Sequence, residues 1–155
     1  MLIFKTIDIA KDRDRVIRFR KDSFIASFGT KAGFGKEANY IKWLEGKVAA
    51  FPNGFVLVKE NNEAIGQLEL SIREYKGKNI GYAHLYYLIP ERRGMGLGKE
   101  LHQYTWQFFK ENNLHEYHLR VAPGNERAIK FYLKNGMVED GRELDGKVIR
   151  MRGRL

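Results

Sequence analysis

Apolar and polar residues alternate through LIFKTIDIA, from Leu2, which predicts an opening strand, and Asp12 is placed to cap a helix running to about Phe28. FGTKAGFGKE, residues 28 to 37, is glycine-rich and reads as a loop. ANYIKWLEGKVAAF then sets Tyr40, Trp43, Leu44 and Val48 at helical spacing, and Pro52, Asn53 and Gly54 end that helix. FVLVKE (55 to 60) and EAIGQLELSIREY (63 to 75) flank Asn61 and Asn62, a two-residue turn that predicts a hairpin. GKN, at 77 to 79, turns the chain into GYAHLYYLIP, whose aromatic and apolar content predicts a buried strand. Leu97, Leu101, Tyr104, Thr105 and Phe108 mark one buried helical face. EYHLRV (116 to 121) is another short strand, so residues 80 to 121 read strand, helix, strand and imply a parallel pair with a crossover. NERAIKFYLKNG (125 to 136) is a further helix with Asn125 as cap and Gly136 as stop, and MVEDGRELDGKVIRMRGRL closes as a hairpin around Asp145 and Gly146. Strand, two helices, three strands, helix, strand, helix and two strands make a mixed α/β or α+β fold of about seven strands and four helices.

Composition narrows the class. A chain of 155 residues, 43% hydrophobic and 30% charged, with no repeat, linker or low-complexity stretch, reads as a single domain over residues 1 to 155. The absence of cysteine removes disulfides, thiolate metal sites and thiol nucleophiles together. No apolar leader opens the sequence and no apolar run reaches the eighteen or so residues that span a bilayer, so a soluble cytoplasmic protein without a membrane partner is expected. The net charge of +9 favours polyanions: nucleic acid, an anionic membrane face or a phosphorylated cofactor. Basic residues are spread rather than massed, and RDRVIRFRK and RMRGRL read as solvated faces. With no recognised binding helix or aromatic RNA motif, nucleic acid is not expected as a partner.

RRGMGLGKELH, residues 92 to 102, puts three glycines into five positions at the start of a helix. A GxxxxGK[ST] loop would need glycine at 93 and a hydroxyl at 100, where Arg93 and Glu100 stand. A GxGxxG fingerprint would need glycine at 99, where Lys99 stands. What the stretch shares with both is a strand delivering the chain to a helix N-terminus whose amides have no partner, with bare backbone that lets a polyanion approach. Arg92, Arg93 and Lys99 add positive charge, so residues 93 to 99 read as a pyrophosphate cradle.

At these residues the sequence resembles the GCN5-related N-acetyltransferase (GNAT) superfamily. Its signature [RQ]xxGx[GA] is matched by Arg93, Gly96 and Gly98, and its wider form by Leu88, Pro90, Arg93, Gly94, Gly96 and Gly98. A second signature, Asn then Ala-Ile then FYxKxG, is matched by Asn125, Ala128, Ile129, Phe131, Tyr132, Lys134 and Gly136. The close match covers residues 80 to 138. The resemblance implies acetyl-CoA as acyl donor, its pyrophosphate on the amides of Arg93, Gly94, Met95, Gly96, Leu97, Gly98 and Lys99, and Tyr86, Leu88 and Asn125 among its other contacts. It also implies a splay between the fourth and fifth strands that admits the thioester, with the amide near Leu88 polarising its carbonyl.

Acyl transfer to an amine needs a neutral amine, a stabilised oxyanion and a proton for the departing thiolate. Direct transfer in a ternary complex suits a chain without cysteine. Tyr132, at the FYxKxG position, is the candidate acid, because a phenol keeps its proton at neutral pH yet lies near a thiol in acidity. The base is open. Tyr82, His84, Tyr86 and Leu88 are expected on one strand face, and Tyr82 stands where family members often carry Glu. His84, Glu69 on the preceding strand, or a water relay could serve instead. His115 and His118 share an H-x-x-H spacing that puts them on opposite strand faces, so no metal is expected. In the family the first two helices wall the acceptor site, which here points to Phe28, Phe34 and Tyr40. The basic chain argues against strongly cationic acceptors and leaves a small-molecule amine or a peptide, with the protein a monomer or homodimer. A catalytically idle CoA-binding regulatory module is the alternative.

Overall fold

In the computed structural model, which describes residues 1–155, strand β1 (Leu2–Thr6) leads into helix α1 (Ile9–Phe28). The helix is capped by Asp8 rather than Asp12: Asp8 Oδ1 accepts the Lys11 amide, and Asp12 reaches back to accept the Asp8 amide at 2.9 Å. The carboxylate expected as cap therefore sits in the first turn, where it also complements the helix dipole. Helix α2 (Glu37–Ala50) and strands β2 (Phe55–Glu60) and β3 (Glu63–Tyr75) follow, with Asn61 and Asn62 both at positive φ, as a tight hairpin requires. The next turn falls at Lys76 and Gly77, so β4 (Lys78–Leu88) begins slightly earlier than its sequence pattern suggests. Helix α3 (Leu97–Glu111), β5 (Glu116–Val121), α4 (Glu126–Lys134), β6 (Val138–Glu143) and β7 (Val148–Arg154) complete the chain.

The seven strands form one sheet in the order β1-β2-β3-β4-β5-β7-β6, antiparallel everywhere except β4 against β5. Each face of the sheet is covered by its own helices. Val16, Ile17 and Phe19 of α1 and Tyr40, Ile41 and Leu44 of α2 pack on Phe55, Leu57, Leu85 and Tyr87. On the other face Leu101, Phe108 and Phe109 of α3 pack on Leu68, Leu70, Ala83, Tyr117 and Leu119, with Ala128, Ile129 and Tyr132 of α4 against them.

Strand β4 carries the irregularity that shapes the site. Leu85 pairs with Glu69 and Ala83 with Leu70, which leaves His84 as an extra residue in a β-bulge. The bulge breaks the alternation expected from sequence. Tyr82 and His84 lie on the α1–α2 face, their rings 4.8 Å apart, whereas Tyr86 and Leu88 pack on the α3–α4 face. Leu85 and Tyr87, in turn, fall into the α1–α2 core.

Where α3 crosses the start of β4, Gly81 has no room for a side chain: a Cβ there would meet the Phe109 ring at 2.6 Å. Phe109 is fully buried, so the ring cannot swing away. Gly81→Ala is expected to destabilise the fold by about 1–3 kcal/mol, read as a lower midpoint in urea melts with unchanged slope.

Candidate functional site

The link from β4 to α3 is a single turn, Pro90–Arg92, followed by Gly94 and Gly96 in left-handed conformations (φ 76° and 84°). That backbone is open to glycine and strained for other residues. Helix α3 begins at Leu97, and the amides of Gly94, Met95, Gly96, Leu97 and Gly98 donate no hydrogen bond within the chain. Five adjacent free donors at a helix N-terminus are the local chemistry of an anion site. The Lys99 amide turns instead to the Gly96 carbonyl at 3.3 Å.

The cationic side chains divide differently from their sequence order. Arg92 pairs with Glu60 at 3.2 Å. Arg93 donates Nε to the Leu88 carbonyl at 2.8 Å and a terminal nitrogen to Asp22 at 3.0 Å, and Asp22 also accepts the Tyr87 hydroxyl at 2.6 Å. Its guanidinium thus ties α1 to the end of β4 and holds the turn. Lys99 is exposed and makes no ion pair. A further cation, absent from the sequence-based set, is Arg127 of α4, with a guanidinium nitrogen 2.7 Å from where a Gly94 Cβ would stand. The signal for it was available: arginine in the first turn of a helix opposes the dipole there, an unfavourable place unless an anion is near. Gly98 has a second duty, since a Cβ on it would lie 3.0 Å from the Phe131 ring where α3 and α4 approach. Asn125 accepts the Ala128 amide as the α4 cap and points its amide at Ser27 of α1, 3.5 Å away.

Strands β4 and β5 pair at only three positions, Gly81–Tyr117, Tyr82–His118 and Ala83–Leu119, and then part. Beyond Ala83, β4 runs on to Leu88 with its β5 edge bare. The Ile89 amide bonds to Ile65 across β3, so by strand alternation the Leu88 amide points the other way, into the gap. On the α3–α4 side of the gap the Tyr86 and Tyr132 rings stand 5.9 Å apart. The Tyr86 hydroxyl is buried without a hydrogen-bond partner. Burial pushes the Tyr132 phenol above its ordinary value, and Tyr117 adds to the rise, so it is protonated across the neutral range.

The other sequence candidates lie on the opposite face. His84 packs edge-on against Trp43 at 5.1 Å and shares a 2.8 Å hydrogen bond between its Nε2 and Ser71 Oγ. Burial, with Arg20, Lys47 and Arg73 nearby, pulls its pKa down to about 3, so it is neutral and a weak base. Glu69 is fully buried: its Oε2 accepts the Tyr40 hydroxyl at 2.5 Å and Gln67 Nε2 at 2.9 Å, and its Oε1 lies 3.4 Å from Arg20. These contacts tie β3 to α1 and α2, with both hydrogen bonds on Oε2 and Oε1 facing Arg20 without one. Phe28, half-exposed, begins a row of rings that runs through Phe24, Phe34, Tyr40 and Trp43 to His84. His118 and His115 are not brought together: His118 is buried between Glu116 and Arg150, and His115 is exposed outside the strand. Five amides without acceptors at one end of the gap and an unpartnered phenol inside it suit a long donor carrying a pyrophosphate.

The family model described as acetyltransferase (GNAT) matches residues 13–137. An uncharacterised N-acetyltransferase of Archaeoglobus fulgidus is 29% identical over 97 residues, 61% of this chain and 64% of that protein, so the match spans less than two thirds of the relative. Among solved structures, the PaiA N-acetyltransferase of Thermoplasma acidophilum in complex with coenzyme A superposes with a TM-score of 0.76 at 21% identity, over 100% of this chain and 99% of that one. The yncA protein of Salmonella typhimurium, with its cofactor acetyl-CoA, gives 0.75 at 16% identity over 100% and 94%. No helix of this chain is long and apolar enough to cross a membrane.

Two measurements follow from this geometry. Gly96 has open space where its Cβ would be, yet its φ is 84°, so Gly96→Val is expected to weaken acetyl-CoA binding about tenfold or more by calorimetry while the fold is kept. His84 is harder to protonate in the folded chain than in the unfolded one, whose value is near 6.5. The unfolded state therefore takes up a proton that the native state refuses, and stability falls as pH drops from about 6.5 toward 3. Urea melts at stepped pH should show a shallower fall for His84→Gln.

Proposed function

The chain belongs to the acetyltransferase (GNAT) family, and we propose that it transfers an acetyl group from acetyl-CoA directly to a primary amine of a small molecule or peptide in a ternary complex. The single observation that carries this reading is the parting of β4 from β5 after three residue pairs, with the five free amides of residues 94 to 98 at its outer end. Acetyl-CoA supplies the activated acetyl thioester.

The amides of Gly94 to Gly98, with Lys99 and Arg127, hold the pyrophosphate, and Tyr86 lines the slot beyond them. The Leu88 amide, aimed into the gap, donates to the thioester carbonyl oxygen as charge develops on it, in the manner of an oxyanion donor. The acceptor arrives from the α1–α2 side past Phe28, Phe34 and Tyr40, so nucleophile and leaving group occupy opposite faces of the sheet. As the new C–N bond forms and the C–S bond breaks, Tyr132 gives its phenolic proton to the departing sulfur, and the amine proton leaves to water. Burial raises phenol and thiol alike, because both anions lose hydration there, so the difference in acidity between them is what governs the transfer.

His84 is a weak base by its low pKa, and Glu69 is committed to its neighbours, with Oε2 accepting Tyr40 and Gln67 and Oε1 facing Arg20. The amine is instead deprotonated through water, helped by the excess of cationic side chains around the acceptor side. Under saturating amine and acetyl-CoA, Tyr132→Phe is expected to lower kcat by about a hundredfold with acetyl-CoA affinity unchanged, measured by thiol release and calorimetry. Equal turnover in the variant would make Tyr132 a packing residue.

A further inference from the structure

Where β4 and β5 part, side chains on the α1–α2 face form a largely buried polar cluster, edged by exposed arginines, that the apolar cores do not explain. Ser71, Arg73 and Tyr75 of β3, Tyr82 of β4, Glu116, His118 and Arg120 of β5, and Arg150 of β7 belong to neither apolar core. Tyr82 is the centre of this patch. It pairs with His118 one position before the last β4–β5 pair, at the mouth of the gap.

Three guanidinium groups gather around it. Arg73 lies over its ring at 4.6 Å and Arg150 at 5.9 Å, while Arg150 also stacks on Tyr75 at 4.1 Å. Burial raises the Tyr82 phenol against the opposing pull of Arg120, Arg150 and Arg73. Glu143 binds two of the three, accepting Nε of Arg120 and Nε of Arg150, each at 2.8 Å, while Asp140 acts on the neighbouring His118 through space. His118 takes Arg150 on its Nδ1 at 2.9 Å and gives its Nε2 proton to Glu116, so it is neutral in this arrangement and adds no charge. Glu116 in turn is held by Lys78. Arg73 is exposed and has neither an ion pair nor a hydrogen bond. Its guanidinium carbon rests 4.6 Å from the Tyr82 ring centroid, and with no partner in the protein its N–H groups are free to receive an anion bound beside that ring.

We propose that the acyl acceptor is an amine that also carries an acidic group, and that this anion is received by Arg73, with Arg120 and Arg150 behind it, beside Tyr82. The inference rests on the transferase reading above. A cationic acceptor would meet Arg73, which has no carboxylate partner, whereas an acid-bearing one neutralises it and gains charge-assisted hydrogen bonds. The same cations disfavour an ammonium group, so the acceptor nitrogen bound next to them loses its proton more readily than in water. One cluster thus anchors the acceptor and prepares its nucleophile in a site whose histidine is too weak a base to do so.

The test is acetyl-CoA-dependent thiol release with matched amines at fixed ionic strength: β-alanine against its amide, and phosphoethanolamine against ethanolamine. At least one acid-bearing member is expected to exceed its neutral partner in kcat/KM on the order of tenfold or more; which pair shows the larger ratio identifies carboxylate or phosphate as the anion. Arg73→Gln should raise KM for the acidic amine and bring the ratio near one with KM for acetyl-CoA unchanged, and Arg73→Lys should restore part of it. Arg73→Met, an unbranched side chain without charge, should behave like Arg73→Gln. Neutral amines used as well as acidic ones by the wild-type protein, or a ratio untouched by Arg73→Gln, would overturn the acidic-acceptor inference and leave the transferase reading standing. Thiol release with none of the four amines, each at high concentration, would count against the transferase reading itself.

Discussion

The structure depends on the different lengths over which β4 satisfies its two neighbours. Along β3 it pairs for nearly its whole length, through the bulge at His84, whereas along β5 it pairs at three positions only. Bare strand backbone in a protein interior is costly unless something receives its hydrogen bonds. An edge left open in the middle of a seven-stranded sheet therefore leaves backbone groups free to bond a ligand. The bulge has a second effect. By adding one residue it sends Tyr82 and His84 to one face and Tyr86 and Leu88 to the other, so the two sides of the gap acquire different chemistry from a single strand.

Those sides are held in register by polar ties rather than by the apolar cores alone. Arg93 links the Leu88 carbonyl to Asp22 of α1, Glu69 links β3 to Tyr40 of α2 and to Arg20 of α1, and Asn125 links the α4 cap to Ser27. Each joins an element of the acceptor side to one that builds the donor side. For fully buried Glu69, removing Tyr40 or Gln67 as a partner costs more than the contact contributes, because the carboxylate is left without hydration. Arg93, expected at the pyrophosphate, and Glu69, a candidate base, are in this way committed to positioning. The groups left free are backbone amides, Lys99, Arg127, Tyr86, Tyr132 and Arg73.

Much of this was legible in the sequence. The alternation in FVLVKE and EAIGQLELSIREY and the Asn-Asn turn between them place both strands with the observed bounds, and the helical spacing from Leu97 places the start of α3, since each rests on local propensity and periodicity. The run of free amides that opens α3 was legible because glycine at a strand-to-helix turn has few other uses. The bulge was not: GYAHLYYL alternates plausibly in either register, and only the pairing with β3 shows His84 as the extra residue. The same holds for charge. Arg73, Arg120 and Arg150 lie on three strands far apart in the chain, and nothing local brings them to Tyr82. Asp12 and Asp8 are both acceptable helix caps by type, and which of them begins the helix depends on where β1 ends.

The central claim is that the bare edge of β4 and the amides that open α3 together receive acetyl-CoA. Amide hydrogen exchange, resolved by residue and measured with and without acetyl-CoA, reads it directly. The account predicts rapid exchange at Gly94 to Gly98 and at Leu88 in the free protein, and slowing at those positions when acetyl-CoA is added, with the β2–β3 hairpin unchanged. Slowing confined to other segments, or exchange at residues 94 to 98 unaffected by saturating acetyl-CoA, would contradict it.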